Sequence, residues 1–167
     1  GKLFGVFQDV TDLRHAEKQV ETLSLYDCLT GLPNRSLFKR LLEKYIVSAR
    51  RHHRQFALLN INLDKFMRIV TNFGEEASDK LLVAVGQRLK EAIRDSDDFF
   101  NNEEQLDSEL ESLGHFGGDN FIILLEEINS PDEAAIVAQR IQDLLEKPFH
   151  ISDSQLHLTV SIGIGIY

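Results

Sequence analysis

The apolar positions of this chain change period several times, and each change marks an element. Leu37, Leu41, Tyr45 and Ala49 recur at helical spacing, which predicts a helix that Ser36 could cap. "FALLNINL", residues 56–63, is an almost unbroken apolar run and reads as a buried central strand. Ala77, Leu81, Val85, Leu89 and Ile93 predict a second helix. Residues 94–112 are acidic and weakly patterned, which predicts a long loop with room for a helical turn. Two short strands follow, near 112–117 and 120–126, around the turn "GGDN". Ser130 as N-cap, Pro131 at the first helical position and Glu133 closing a capping box then predict a helix. Its buried face is Ala134, Val137, Ala138, Ile141, Leu144 and Leu145. "LHLTVSIGIGIY" closes the chain as a strand.

From Phe56 the order is strand, helix, strand, strand, helix, strand, which is the α+β ferredoxin-like βαββαβ unit. It predicts a mostly antiparallel sheet with helices on one face. The first strand lies beside the third and runs opposite to it. The strand end "NINLD" and the turn "GGDN" then share one edge. Asn62, Asp64 and Asp119 become neighbours despite their distance in sequence.

Ahead of this unit, residues 1–11 alternate like a strand. From Asp12, Leu13, Ala16, Val20 and Leu23 repeat at 3-4-3 spacing, the seam of a short coiled coil. About three turns are too short to hold a dimer alone. Two readings stand: a connecting helix packed on its own domain, or a signalling helix that pairs with a second chain.

Composition narrows the partners. The 167 residues are 43% apolar and 27% charged, with a formal net charge of −9. That excludes non-specific binding to nucleic acid or an anionic membrane, both of which need basic fields, and leaves a local nucleotide site open. Cys28 is the single cysteine, so no intramolecular disulfide exists, and a reducing, cytoplasmic setting is expected. A nucleophilic role for Cys28 would need an electropositive setting, and a small side chain beside a turn is the simpler reading. No apolar run approaches the roughly 18 residues of a membrane span. No signal peptide is visible. The six histidines show no metal-ligand spacing.

The acidic edge has two readings. Carboxylates on adjacent strand ends, with a backbone carbonyl, suit Mg²⁺ bound to nucleotide phosphates. Glycines in the turn would let backbone N–H groups approach those phosphates. Gly-Gly-Asp-Asn is equally a good hairpin sequence.

"DCLTGLPNR", "NINLDKF", "NFGEEASDKLL", "HFGGDNF" and "LTVSIGIGIY" occur in the order and spacing of the GGDEF domain of diguanylate cyclases, which residues 25–167 resemble. An insertion at about 98–111 interrupts the match. The segment "GVFQDVTDLRHAE" resembles the last strand of a PAS sensor domain and its exit helix. The resemblance thus implies residues 1–24 as a sensor end with linker helix, 25–167 as a domain of the nucleotidyl-cyclase and polymerase-palm type, and an excerpt of a longer bacterial sensory protein.

Members of this family condense two GTP molecules into cyclic di-GMP between two facing domains, each holding GTP with Mg²⁺. By resemblance, Asp119 is a metal ligand and the catalytic carboxylate of the signature, which helps deprotonate the attacking hydroxyl, and the Leu63 carbonyl is a second ligand. The family's other metal-binding acid, the first of its Asp-x-Asp, is Asn62 here, and the fourth signature letter, usually Glu, is Asn120. Gly117 and Gly118 fall at the nucleotide. Asp79 keeps a guanine-binding Asp, whereas the guanine-binding Asn is Val70. Glu75, Ser78 and His115 replace the family's His, Gly and Arg. The family's phosphate-contacting basic residues lie on a helix past the position of Tyr167. Arg94 and Asp97 reproduce the Arg-x-x-Asp pattern of an inhibitory product site, on an acidic segment that disfavours an anionic dinucleotide.

Three functions follow from the resemblance. A degenerate regulatory or scaffold module would bind GTP weakly, with Mg²⁺ weak or absent, and control a neighbouring phosphodiesterase (EAL) domain. An active cyclase would use Asp119 and Asp79. A dimerisation or signal-relay element would form a homodimer through the linker helix.

Overall fold

The computed structural model describes residues 24–97 and 112–167. The expectations for residues 1–11, the 3-4-3 seam and the insertion fall outside those residues. The described chain runs α1 (Arg35–His52), β1 (Gln55–Leu63), α2 (Phe66–Asp97), β2 (Leu113–His115), β3 (Asn120–Ile128), α3 (Pro131–Leu145), β4 (Phe149–Ile151), β5 (Ser154–Leu156) and β6 (Val160–Ile166).

β1 is central because it can be buried on both faces. It pairs antiparallel with β3 on one side and β6 on the other, in a sheet of order β2-β3-β1-β6. Ala57, Leu59, Ile61 and Leu63 alternate onto the face covered by α2 and α3, where Leu81, Val85, Leu89, Ala134 and Ile141 complete the main core. The ferredoxin-like order is therefore present, with β1 beside β3 as the split unit requires.

The two helices of the unit keep to one face, as expected, and α1, which precedes the unit, covers the other. Phe38 and Ala49 pack there against Phe56 of β1 and Leu124 of β3, with Tyr45 and Ile46 alongside. Phe56 and Leu58 make that face apolar at the start of β1, and α1 buries it. Asn60 and Asn62 follow at the same two-residue period, so the far end of this face is polar.

Four local expectations are corrected. The cap of α1 is Asn34 rather than Ser36: its Oδ1 accepts from the amides of Ser36 (3.0 Å) and Leu37 (3.1 Å). Asn34 precedes the first helical residue and so can reach two amides that have no intrahelical partner. Glu133 does not close a box on Ser130; its carboxylate accepts from the Asn129 amide at 3.0 Å, and Ser130 makes no side-chain cap bond. Arg94 and Asp97, expected in a loop, lie in the last turn of α2. Finally, the segment before β6 folds back as a separate β4–β5 hairpin, so the last strand begins at Val160.

The turn ahead of α1 locks β2 in place. Residues 27–32 close on themselves, with Asp27 N–H donating to the Leu32 carbonyl (2.8 Å), and Leu32 is fully buried. The next carbonyl, Pro33, accepts from the His115 amide at 3.0 Å. Gly114 makes this approach possible. A Cβ there would stand 2.8 Å from Phe38 Cδ2 and 3.2 Å from the Pro33 carbonyl oxygen. The backbone oxygen cannot rotate away, so Gly114→Ala is expected to cost about 1–3 kcal/mol of stability. A thermal or denaturant melt measures it, and an unchanged midpoint would contradict this packing.

Candidate functional site

The site is built where β1 ends. Asn62 and Asn120 are direct cross-strand partners, and Leu63 donates its amide to the Asp119 carbonyl at 2.9 Å. The sequence-predicted neighbours Asn62, Leu63, Asp64, Asp119 and Asn120 are thus gathered at one edge. Gly117 and Gly118 make the turn with φ of 93° and 56°. An added Cβ would meet nothing within 4 Å at either position, so backbone conformation rather than space calls for glycine. The turn is closed by Phe116 N–H donating to the Asn120 carbonyl at 2.9 Å.

The polar side chains at this edge are largely committed to one another. Asn120 Nδ2 donates to Asn60 Oδ1 at 3.0 Å, so Asn60, Asn62 and Asn120 form an amide row on the open sheet face. Asp64 turns toward β6: Ser161 Oγ donates to Oδ1 and Thr159 Oγ1 donates to Oδ2, each at 2.7 Å. Those two hydroxyls, Ser161 first, hold the Asp64 carboxyl below its usual range. Because its folded pKa is lowered, Asp64's contribution to stability is present above the unfolded carboxylate pKa and lost as pH falls through the folded one. Asp64→Asn should therefore flatten the stability profile between about pH 5 and pH 2. Denaturant melts across that window measure it, and an unaltered acid limb would contradict the clasp.

This donor set does not fit Mg²⁺. A hard divalent cation selects anionic oxygen. Asn62 and Asn120 present amides, and both oxygens of Asp64 already accept hydroxyls. Asp119 is the remaining signature carboxylate. Among the described residues no three His, Cys, Asp or Glu side chains stand where they could hold a metal ion.

The guanine-binding positions lie along α2, which is two helical segments joined at Gly74 (φ 83°, ψ 172°). Val70 precedes the break and packs against the main core, while Asp79 follows it and is exposed. Ser78, between them, is buried and donates its hydroxyl to the Gly74 carbonyl at 2.8 Å. Arg94 and Asp97 sit at the opposite end of α2 from Asp64. A cleft of about 550 Å³ opens beside Asp64, between Lys65, Arg68 and Phe73 of the α2 start on one side, Lys65 just ahead of the helix, and His157 on the other. Neither Asn62, Asp119 nor Asn120 lines it, so it is a neighbour of the signature edge rather than its binding space.

Sequence reasoning missed four participants. Asn60 was legible in principle, because "NIN" puts two amides on one strand face. Thr159 and Ser161 share a face by period two, but their partner Asp64 is far away in sequence. Asp27 is the fourth: its Oδ1 lies 3.0 Å from His115 Nδ1, which sets the 27–32 turn against the strand entering the signature.

Comparison with known proteins accords with this geometry. The family described as diguanylate cyclase, GGDEF domain, matches residues 24–167. A Pseudomonas aeruginosa protein named bifunctional diguanylate cyclase/cyclic di-GMP phosphodiesterase MucR is 32% identical over 157 residues, covering 94% of this chain and 21% of that protein. Diguanylate cyclase TpbB from the same organism is 31% identical over 173 residues, covering all of this chain and 37% of TpbB. The chain thus spans well under half the length of these curated relatives. The solved structure of an N-terminally truncated TpbB comprising only its GGDEF domain superposes with a TM-score of 0.70 at 31% identity, covering 85% of this chain and 75% of that one. The chain belongs to the GGDEF family of diguanylate cyclase domains.

Proposed function

We propose that this is a degenerate GGDEF domain, a regulatory, GTP-binding or scaffold module of a cyclic di-GMP signalling protein without efficient cyclase activity. The observation that carries the proposal is the Asn62–Asn120 pair. Where the family pattern has two carboxylates, facing strands here present two amides, one of them already bonded to Asn60. Cyclase chemistry needs a cation to neutralise phosphate charge and activate the attacking hydroxyl. Loss of two negative charges weakens that cation's binding, and Val70 leaves the guanine edge without one hydrogen-bond partner. Asp119, Asp79 and the Gly117–Gly118 turn remain to support weak nucleotide binding.

In this reading residues 25–167 act as one module and residues 1–24 link it to a sensor and to a second copy. A phosphodiesterase domain is a fitting neighbour, since MucR is named for both activities. The alternative, an active cyclase, draws on TpbB, a named cyclase with 31% identity. Conversion of Mg²⁺-GTP to cyclic di-GMP by the full-length protein separates the two. The proposal expects no product above the no-protein control, and steady multiple turnover would overturn it.

A further inference from the structure

The cleft beside Asp64 is lined by polar side chains that have no partner in the fold. Lys65 and Arg68 stand on its α2 wall about one turn apart, with Asn72 and Phe73 a turn further on. Glu146, at the end of α3, and His157, ahead of β6, complete the polar lining. Among the described residues, none of the Lys65, Arg68, Asn72, Glu146 and His157 side chains makes a hydrogen bond or an ion pair. The signature edge is the opposite case, since Asn120 is bonded to Asn60 there. Asp64 also lines the cleft, but each of its oxygens already accepts a hydroxyl from β6 or the residue before it. In a chain of net charge −9, two adjacent cations without a carboxylate partner mark a place for an anion.

Phe73 adds a second requirement. It is 46% exposed, a large apolar ring open to the cleft. A flat ring laid on it removes that surface from water. The edge of such a ring then meets Asn72, which donates and accepts, and Glu146, which accepts N–H groups. Glu146 repels a second anionic group, so the ligand carries its negative charge at one end and its donors at the other. Lys65 and Phe73 are eight residues apart, about 12 Å along a helix, which is close to the length of a nucleoside monophosphate. A triphosphate would bring two further phosphates to a lining that has no further Lys or Arg. The volume, about 550 Å³, is that of a small-ligand site.

We propose that this cleft binds a purine nucleoside monophosphate, with the phosphate on Lys65 and Arg68, the base on Phe73 and its amino edge toward Glu146. The site is separate from the signature turn. Val70 and Asp79, the guanine positions by resemblance, do not line it, and neither do Asn62, Asp119 and Asn120. The inference therefore holds or fails independently of the proposed loss of cyclase activity.

An NMR titration of ¹⁵N-labelled protein with AMP and with GMP, in chelator and without divalent cation, tests it. The amides of Lys65, Arg68, Asn72, Phe73 and His157 should shift together on one saturating curve. Lys65→Glu and Arg68→Glu should each weaken AMP binding by about tenfold or more, the effect of losing one charge-assisted bond. Phe73→Ala should weaken it by about fivefold or more through lost stacking. These three side chains are exposed, so each variant should keep the wild-type melting midpoint. Inorganic phosphate, which has no ring for Phe73, should bind by about tenfold or more less tightly than AMP. The proposal is overturned by shifts confined to Gly117, Gly118 and Asn120, by phosphate binding as tightly as AMP, by unaltered affinity in a folded Arg68→Glu variant, or by no saturable shift at millimolar nucleotide.

Discussion

Restoring carboxylates with the double substitution Asn62→Asp and Asn120→Glu is expected to strengthen Mg²⁺-dependent GTP binding by about a hundredfold or more. Changing even an outer-shell metal partner typically moves affinity by about 10- to 100-fold, and the Asn62 position is a metal ligand in the family pattern. The strands already place them opposite each other, so the new carboxylates need no backbone movement to converge. Without a cation they would repel each other and Asp119, so the variant should also melt lower than wild type and recover on adding Mg²⁺. The melt is a useful second readout because it needs no nucleotide. A double variant that titrates like wild type with Mg²⁺-GTP, and gains no stability from Mg²⁺, would show that the amides are not what limits the site.

Phe121→Ala is expected to cost about 3–5 kcal/mol, the largest stability effect of any substitution considered. Phe121 is fully buried, belongs to the main core and carries the ring of His115 on its face. The cavity would open under the hairpin, between the 27–32 turn and Gly86 of α2, where backbone on both sides limits collapse. A loss of that size is a large fraction of the roughly 5–15 kcal/mol that holds a typical domain folded. Equilibrium denaturation measures it. A loss below about 1 kcal/mol would mean that Phe121 is not a core residue in solution.

Much of the fold was legible because its strongest signals are periodic. The apolar run 56–63 and the Leu81–Val85–Leu89 stripe each have one physical explanation, and both elements form where expected. What periodicity leaves unsaid is which face a helix covers. The α1 stripe predicts a buried side, but the partner surface of Phe56, Leu58 and Leu124 exists only once β1 and β3 pair. The missed hairpin β4–β5 has strands of three residues each, too short to show alternation. Arg94 and Asp97 were misread for a related reason: the acidic composition beyond Ile93 hides the end of a helix whose apolar face has run out.

The candidate site divides along the same line. That Asn62, Asp64 and Asp119 share an edge follows from topology, and topology followed from element order. That Asp64 is held by Thr159 and Ser161, or that the His115 ring lies between Asp27 and Gly118, depends on rotamers and on residues up to 97 positions apart. No local pattern encodes those contacts, and they decide the chemistry. They turn an apparently acidic edge into one where Asp119 is the carboxylate left uncommitted.

The most direct measurement is a calorimetric titration of the wild-type protein with GTP, with and without Mg²⁺. With the edge as described, affinity for GTP should be the same in both, within a factor of about three, because the ion has too few anionic ligands to add to the complex. Mg²⁺ tightening GTP binding by tenfold or more would show that Asp119 and its neighbours assemble a working metal site, and would contradict the account.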